Sequence, residues 1–454
     1  MPRIPEFAGN NLIPERPLRP DELLSNMKAM LDGCMNPAHP GYMGHMDPMP
    51  STMSVFADLA ASSANNNMLS LELSPAFSRL ELRLLRAFAR LFGLPEGSGG
   101  VMLGGGSLAN LQAITVARNI AFDAHSSGIA LMDKRPVLFA SDAAHTSIQK
   151  AAMILGLGTN AVIQVRSDET GRMDPLHLRK CIINARETNK APFCVVATAG
   201  TTTTGNIDPL PEIHALAKEH GLWLHIDAVF GGTLIMSKER QKLLAGIELA
   251  DSISFNPQKW LYVTKTCGML LLRDTKVLER DFRVHVPYMQ DPDDDFNLGE
   301  ITIQGTRYPD VLKLWLTLQS IGKTGFAQLI EGAFEMTEHF VAHVKSRPYF
   351  TLSSEPDLNV VCFRGTPEWI PEPEWDQWNR DLQSWLLEKD CFLSLPRFRN
   401  AAWLRVIMLN PFTEKSMIDK LFAHIDEYVA NKYPFAGDSV ADFAAHKSIK
   451  TPAE

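Results

Sequence analysis

The chain has 454 residues, 45% of them hydrophobic and 21% charged, and a net charge of −8. That length supports a large core and more than one domain, and the composition excludes a disordered chain. No basic tail and no apolar run of the ~20 residues needed to cross a bilayer are present, so neither nucleic acid nor membrane is an expected partner. Six cysteines, at 34, 181, 194, 267, 362 and 391, are scattered without a CxxC pair. This fits free thiols in a reducing compartment rather than disulfides or a zinc site. The start, Met1-Pro-Arg-Ile-Pro-Glu-Phe7, lacks the apolar stretch of a signal peptide. A cytoplasmic enzyme is the expectation.

From about 100 to 275, short apolar runs alternate with helical patterns. Strands are predicted over 136–141, 161–165, 193–198, 223–227, 252–255 and 268–273, and helices over 107–118, 146–155 and 210–220. The alternation predicts a mostly parallel sheet wrapped in helices. Such a sheet is covered on both faces, so its strands read as continuous apolar runs. The stretch 288–299 holds Asp291-Pro-Asp-Asp-Asp295, too charged to bury cheaply, and is expected to form a mobile loop. A long helix follows over 308–321. Beyond about 325 the pattern becomes an α+β mixture. Its helices are predicted over 326–346, 374–389 and 414–428, its strands over 358–363 and 402–408, and a proline-rich loop over 366–373. Met417, Leu421, Ile425 and Tyr428 form the apolar stripe of the last helix. The expected organisation is an N-terminal segment over 1–80, a large domain over 81–325 and a small domain over 326–454.

Two residues at the ends of buried-strand patterns carry the chemistry. Asp227 closes Leu222-Trp-Leu-His-Ile-Asp227, and Lys259 follows in Asn256-Pro-Gln-Lys-Trp260. A carboxylate buried without a partner is costly, so Asp227 needs an arginine, a helix N-terminus or a protonated ring nitrogen beside it. Lys259, flanked by Pro257 and Trp260, is equally out of place as a solvated surface charge. An amine and an acid at neighbouring strand ends suit pyridoxal 5′-phosphate. Its aldehyde forms a Schiff base with lysine, and an acid keeps its pyridine nitrogen protonated. Gly104-Gly-Gly-Ser107 opens a helix and either cradles a phosphate or makes a tight strand-to-helix turn. His145 either stacks on a ring or caps a helix. Thr198-Ala-Gly-Thr-Thr-Thr-Thr-Gly205 either lines a pocket with hydroxyls or forms a capped turn.

The order of motifs from His39 to Pro411 resembles the group II pyridoxal-phosphate-dependent amino-acid decarboxylases. That family includes glutamate, cysteine-sulfinate, diaminobutyrate and aromatic-amino-acid decarboxylases. The motifs are His39-Pro-Gly-Tyr-Met43, Ala64-Asn-Asn-Asn-Met68, Gly105-Gly-Ser-Leu-Ala-Asn110, Ser141-Asp-Ala-Ala-His145, Ala199-Gly-Thr-Thr-Thr-Thr-Gly205, His225-Ile-Asp-Ala228, Asn256-Pro-Gln-Lys-Trp260 and Leu312-Lys-Leu-Trp-Leu316. The resemblance implies the α/β fold type I architecture of aspartate-aminotransferase-like enzymes, with a mostly parallel sheet in the large domain and a smaller α+β C-terminal domain. It implies that Lys259 forms the internal aldimine, that Asp227 pairs with the pyridine nitrogen and that His145 stacks on the ring. Gly106, Ser107 and Asn256 would hold the phosphate, with Thr198 beside the phenolic oxygen. Arg405 would take the substrate α-carboxylate, and His45 would read the side chain. The family is an obligate homodimer with a shared site. The segment 1–80 would then serve dimerisation, and Leu69 and Thr306 would reach the neighbouring pocket and phosphate.

Two positions depart from the family pattern. Gln258 stands where the family usually has histidine next to the lysine, at the substrate-facing side; glutamine neither titrates near neutral pH nor stacks like imidazole. Counting back from Gln304-Gly-Thr-Arg307, Phe296 stands where many relatives carry a loop tyrosine that protonates the quinonoid carbanion. Tyr288 is the other candidate for that hydroxyl. Relatives with phenylalanine there can let oxygen react, releasing aldehyde, ammonia and peroxide. The leading expectation is an L-amino-acid decarboxylase. Met43, His45, Leu69 and Phe296 lean it toward an aromatic or bulky substrate, with acidic amino acids next. A decarboxylation-coupled oxidative deaminase (an aldehyde synthase), an aminotransferase or desulfurase, and a non-catalytic interaction protein are the alternatives.

Overall fold

A computed structural model describes residues 12–286, 289 and 297–433. Tyr288, Phe296 and the acidic run 291–295 lie outside the described residues. The centre is a seven-stranded sheet of β1 (Gly99–Leu103), β2 (Arg135–Ser141), β3 (Val162–Val165), β4 (Lys190–Thr198), β5 (Trp223–Asp227), β6 (Ser252–Phe255) and β7 (Gly268–Leu272). Their order is β1-β7-β6-β5-β4-β2-β3. Strands β3, β2, β4, β5 and β6 pair in parallel, whereas β7 runs antiparallel to both β6 and β1. The sheet is therefore mostly parallel, as expected, with one reversed strand.

Alternate residues of each strand serve opposite cores. Val137 and Phe139 of β2, with Val195 and Ala197 of β4, enter the main hydrophobic cluster. Leu138 and Ala140, with Cys194 and Val196, enter a second cluster under the helices Gly106–Phe122 and Ser147–Ile154. That double burial is why these strands read as apolar runs. The sequence pattern did not mark β1 as a strand, because Gly99-Gly100 breaks its apolar character. The structure needs the glycine: a Cβ on Gly100 would stand 1.9 Å from the Leu270 carbonyl oxygen.

The helices predicted over 308–321 and 326–346 lie in Asp310–Lys345, which Gly322 (φ 67°, ψ 166°, non-helical) divides into two helices. Its first half sends Val311 and Leu314 into the main core. Its second half sends Phe340, Val341 and Val344 into a separate core, shared with the helices Trp375–Glu388 and Lys415–Lys432. That second core packs on a small antiparallel sheet of β8 (Phe350–Leu352), β9 (Val360–Gly365) and β12 (Leu404–Ile407), with a hairpin of β10 (Arg397–Phe398) and β11 (Ala401–Ala402) beside it. The last helix buries Ile418, Leu421, Phe422, Ile425 and Tyr428, while Met417 is only partly buried.

Three helices precede the sheet: Pro20–Asp32, Thr52–Ala64 and Pro75–Leu91. The first buries none of its residues, and Leu23, Leu24, Met27 and Leu31 stand exposed. All six cysteines are unpaired. Among the described residues no helix is long and apolar enough to cross a membrane.

Candidate active site

Ligand sites in parallel sheets form outside the carboxyl ends of the strands, where loops are free to turn toward one another. Here five such ends converge. Asp227 ends β5, in register with Thr198 of β4 and Ser254 of β6. Asn256 and Lys259 follow β6 in a single turn, closed by the bond from the Lys259 N–H to the Asn256 carbonyl (3.1 Å). The glycine loop follows β1, and His145 follows β2. Together they enclose a cavity of about 270 Å³.

The loop 104–107 is built by close approach. Gly105 has φ 111°, which only glycine adopts easily. A Cβ on Gly268 would stand 2.7 Å from the Gly105 Cα, and one on Gly106 would stand 2.6 Å from Val229. The loop is thereby pressed against β7 with its backbone turned to the cavity. Helix Gly106–Phe122 starts there, and its leading N–H groups have no intrahelical acceptor, so they are available to an anion.

Lys259 reaches the cavity as a buried amine. Among the described residues its one close polar contact is the Met46 thioether, 3.8 Å from Nζ. Burial lowers its pKa, while Asp227 opposes the shift. Behind it Trp260, fully buried, stacks on Phe230 at 5.2 Å. Burying such a ring stabilises by ~1.5–3 kcal/mol and fixes the lysine backbone. Asp227 is 6% exposed. It accepts from Asn110 Nδ2 (2.9 Å), the Val229 N–H (3.2 Å) and Ser254 Oγ (3.4 Å), and among the described residues no cation lies within ion-pair distance of it. His145 Nδ1 accepts from the Ser147 N–H at 3.1 Å. Burial, with Lys259 and Lys150, lowers its pKa against the pull of Asp227.

Two buried polar atoms on the cavity wall, Thr198 Oγ1 and Asn256 Oδ1, have no hydrogen-bond partner among the described residues. Buried polar atoms are rarely left so unless a ligand completes them. An anion-ready helix start, a buried amine, an acid without a cation and two orphaned polar atoms fit pyridoxal phosphate in size and chemistry.

Arg405 lies on β12, 6% exposed. It donates to Ser394 Oγ (2.9 Å), to the Gly44 carbonyl (3.1 Å), to His45 Nδ1 (3.3 Å) and to the Thr202 carbonyl. All these partners are neutral oxygens or a neutral imidazole: burial, then Arg405 itself, lowers the His45 pKa. Among the described residues no carboxylate lies within ion-pair distance of this guanidinium. The segment Tyr42–Met46 brings His45 there by pairing with Phe392 and with Ile407 of β12.

The remaining predicted residues fall elsewhere. The Gln258 side chain accepts from the Cys267 N–H (2.5 Å) and lies beside Gly105 on the cavity wall. Leu69 packs on Gly299 and Thr306 is exposed; neither lines the cavity of its own chain. Met43 is 1% exposed and belongs to the small-domain core. Met43 therefore does not contribute to the apolar pocket that leaned the sequence toward aromatic substrates. Four contributors went unmarked as site residues in the sequence: Asn110, Ser147, His225 and Ser394. The available signal was a polar residue inside an apolar run, as His225 stands between Leu224 and Ile226. A larger cavity of about 740 Å³, between Tyr262, Leu329 and the segment 408–416, is not a rival site. Among its charged lining residues Glu335 and Lys415 pair with each other at 2.5 Å, and no buried amine or carboxylate faces it as Lys259 and Asp227 face the smaller cavity.

Comparison with known proteins agrees with this geometry. Residues 7–366 match the model of the pyridoxal-dependent decarboxylase conserved domain. The chain is 32% identical to the cysteine sulfinic acid decarboxylase of Rattus norvegicus over 422 residues, 89% of this chain and 85% of that one. It is 34% identical to the acidic amino acid decarboxylase GADL1 of Mus musculus over 360 residues, 78% of this chain; it spans 65% of that relative. The crystal structure of mouse CSAD superposes with a TM-score of 0.84 at 31% identity, covering 90% of this chain and 88% of that one. The chain belongs to the pyridoxal-dependent decarboxylases, carboxy-lyases that act on amino acids with pyridoxal 5′-phosphate as cofactor.

Proposed function

We propose that this chain decarboxylates an acidic or sulfinic L-amino acid. The observation that carries the reading is the pairing of roles around one cavity: a buried amine, Lys259, beside an acid without a cation, Asp227, with a carboxylate-free guanidinium, Arg405, near its mouth. Pyridoxal phosphate, when bound, supplies an aldehyde that takes up amines and a ring that accepts the electron pair released with carbon dioxide. Gly106, Ser107 and Asn256 would hold its phosphate, and Thr198 its phenolic oxygen. Lys259, with its lowered pKa, would be an uncharged nucleophile nearer neutral pH than a solvated lysine. Asp227 would hold a proton on the ring nitrogen. Arg405 would fix the substrate carboxylate and so orient the bond to be broken. His145, accepting at Nδ1, would present Nε2–H to the ring face.

The acidic substrate class rests on the names of the two relatives and on the charge around the entrance. Arg405 and Lys265 both act on His45 there, with Asp47 as the opposing carboxylate. Lys265 and Asp47 pair at 2.6 Å, which leaves the Arg405 charge for a substrate carboxylate.

A homodimer is part of the reading. The apolar residues exposed on helices Pro20–Asp32 and Thr52–Ala64 (Leu23, Met27, Leu31, Phe56 and Leu59) would be covered by a second copy. Leu69 and Thr306 would then serve the neighbouring site. Light scattering on the purified protein checks this; a monomer at micromolar concentration refutes it.

The deciding assay screens acidic, sulfinic and aromatic amino acids with the reconstituted protein, and measures carbon dioxide, amine and peroxide together. Amine and carbon dioxide from an acidic substrate support the proposal. No carbon dioxide from any substrate refutes it. Peroxide with aldehyde would favour the aldehyde-synthase reading that Phe296 motivates.

A further inference from the structure

Behind Asp227 lies a continuous chain of buried side-chain hydrogen bonds. Trp223 Nε1 bonds Ser252 Oγ at 2.8 Å. Ser252 Oγ meets His225 Nδ1 at 2.9 Å, and His225 Nε2 meets Asn110 Oδ1 at 2.9 Å. Asn110 Nδ2 reaches both Asp227 Oδ2 and Ser147 Oγ at 2.9 Å. Ser147 Oγ closes the chain on His145 Nδ1 at 2.9 Å. Ser252, His225, Asn110 and Ser147 are at most 2% exposed.

The direction of the chain is set at the Asp227 end. A carboxylate accepts, so Asn110 turns its NH2 to Asp227 and its carbonyl to His225, and His225 donates from Nε2. At the far end an indole N–H can only donate, so Ser252 Oγ accepts from Trp223 and keeps its own hydrogen for His225 Nδ1 when that nitrogen is bare. Burial supports the neutral imidazole by lowering its pKa to about 4, against the pull of Asp227. In that state no member of the relay carries a charge.

We propose that Trp223, Ser252, His225 and Asn110 are positioning residues: a one-way relay of neutral donors that holds the Asp227 carboxylate by hydrogen bonds while supplying no cation to compete with the cofactor ring. A lysine or arginine in place of Asn110 would also stabilise the carboxylate, but it would neutralise the field that Asp227 exerts on the ring nitrogen. Neutral dipoles stabilise the anion and leave its charge for the ligand. Through Ser147 the same amide orients His145, so the groups intended for the edge and the face of the ring share one support. The inference rests on the proposed pairing of Asp227 with the ring nitrogen.

The test reads the ring nitrogen directly. Protein loaded with pyridoxal phosphate labelled with nitrogen-15 in the ring is titrated by NMR, in wild type, Asn110→Ala, His225→Met and His225→Gln. The last keeps an amide donor near the Nε2 position. The wild-type ring is expected to stay protonated through the stable pH range. In Asn110→Ala and His225→Met the midpoint should fall by about one unit or more, with kcat lower by about tenfold and KM little changed. His225→Gln should recover most of the shift, which a role in packing alone would not predict. Ser252→Ala, a smaller change at the far end, gives the same reading should Asn110→Ala not fold: a lowered midpoint supports the relay and an unchanged one opposes it. Protonated rings in all variants would overturn the relay and leave the decarboxylase reading standing. An unprotonated ring in loaded wild type would overturn the Asp227 pairing itself.

Discussion

Two buried carboxylates of this protein are treated in opposite ways. Glu81, 1% exposed on helix Pro75–Leu91, takes Arg307 at 2.5 Å and the Met102 N–H at 2.9 Å. Arg307 also donates to the Met102 carbonyl at 2.9 Å, so the pair locks that helix to β1. Asp227, 6% exposed, receives only neutral donors. The fold supplies a cation where the charge has a structural task, and withholds one where a ligand is to supply it. Substitutions should therefore separate the two sites by what they damage. Asp227→Ala is expected to cost about a thousandfold or more in kcat, equivalent to ~4 kcal/mol of barrier. Removing the acid also removes a buried charge without a cation, so the apoprotein should melt close to wild type. Lys259→Ala should abolish turnover and the yellow absorbance of loaded protein. Arg307→Met should do the reverse of Asp227→Ala. It strands Glu81 in the core and should cost ~3–5 kcal/mol of stability, read in a denaturant titration. Asp227→Ala destabilising the apoprotein as much as Arg307→Met does would break the contrast.

The neutral relay predicts an acid sensitivity of its own. Histidine in an unfolded chain titrates near 6.5, whereas His225 in the fold is depressed to about 4. Between those values the unfolded chain binds a proton that the folded chain refuses. The His225 contribution is therefore whole above pH 6.5 and is lost progressively as pH falls, levelling off below 4. The full loss is about 3 kcal/mol, and roughly half of it falls above pH 5. Comparing denaturation midpoints of the apoprotein at pH 7 and pH 5, wild type should lose more stability than His225→Gln. Equal losses would mean that His225 already carries a proton in the fold.

The two regions also differ in how readable they were. Strands β5 and β6 end where the sequence places them, because a strand buried on both faces is apolar along its whole length and stops abruptly. Lys259 and Asp227 stood out for the same reason, as charges at the ends of such runs. Helix Pro75–Leu91 and β1, which carry the Glu81 pair, were not predicted; Gly99-Gly100 erases the strand pattern there. Glu81 and Arg307 lie 226 residues apart, and no local pattern joins them. His225 and Asn110, 115 residues apart, are joined only by the packing of helix Gly106–Phe122 across the sheet. Local periodicity reports which face is buried. It does not report which polar group meets which across the core, and that information decides the electrostatics of the site.

The smallest expected effect concerns Arg405, whose setting resembles that of Asp227 with the sign reversed: a buried charge held by neutral partners. Arg405→Lys keeps the charge but loses the planar fork, and with it the fixed contacts to Ser394 and to the Gly44 and Thr202 carbonyls. One charge-assisted hydrogen bond to a substrate carboxylate is worth ~1.5–3 kcal/mol. The replacement retains part of it, so KM should rise about tenfold while kcat falls less. Loaded protein should keep its absorbance, since Arg405 serves the substrate and not the cofactor. A change confined to kcat, with KM unaltered, would show that the guanidinium does not hold the substrate in its ground state.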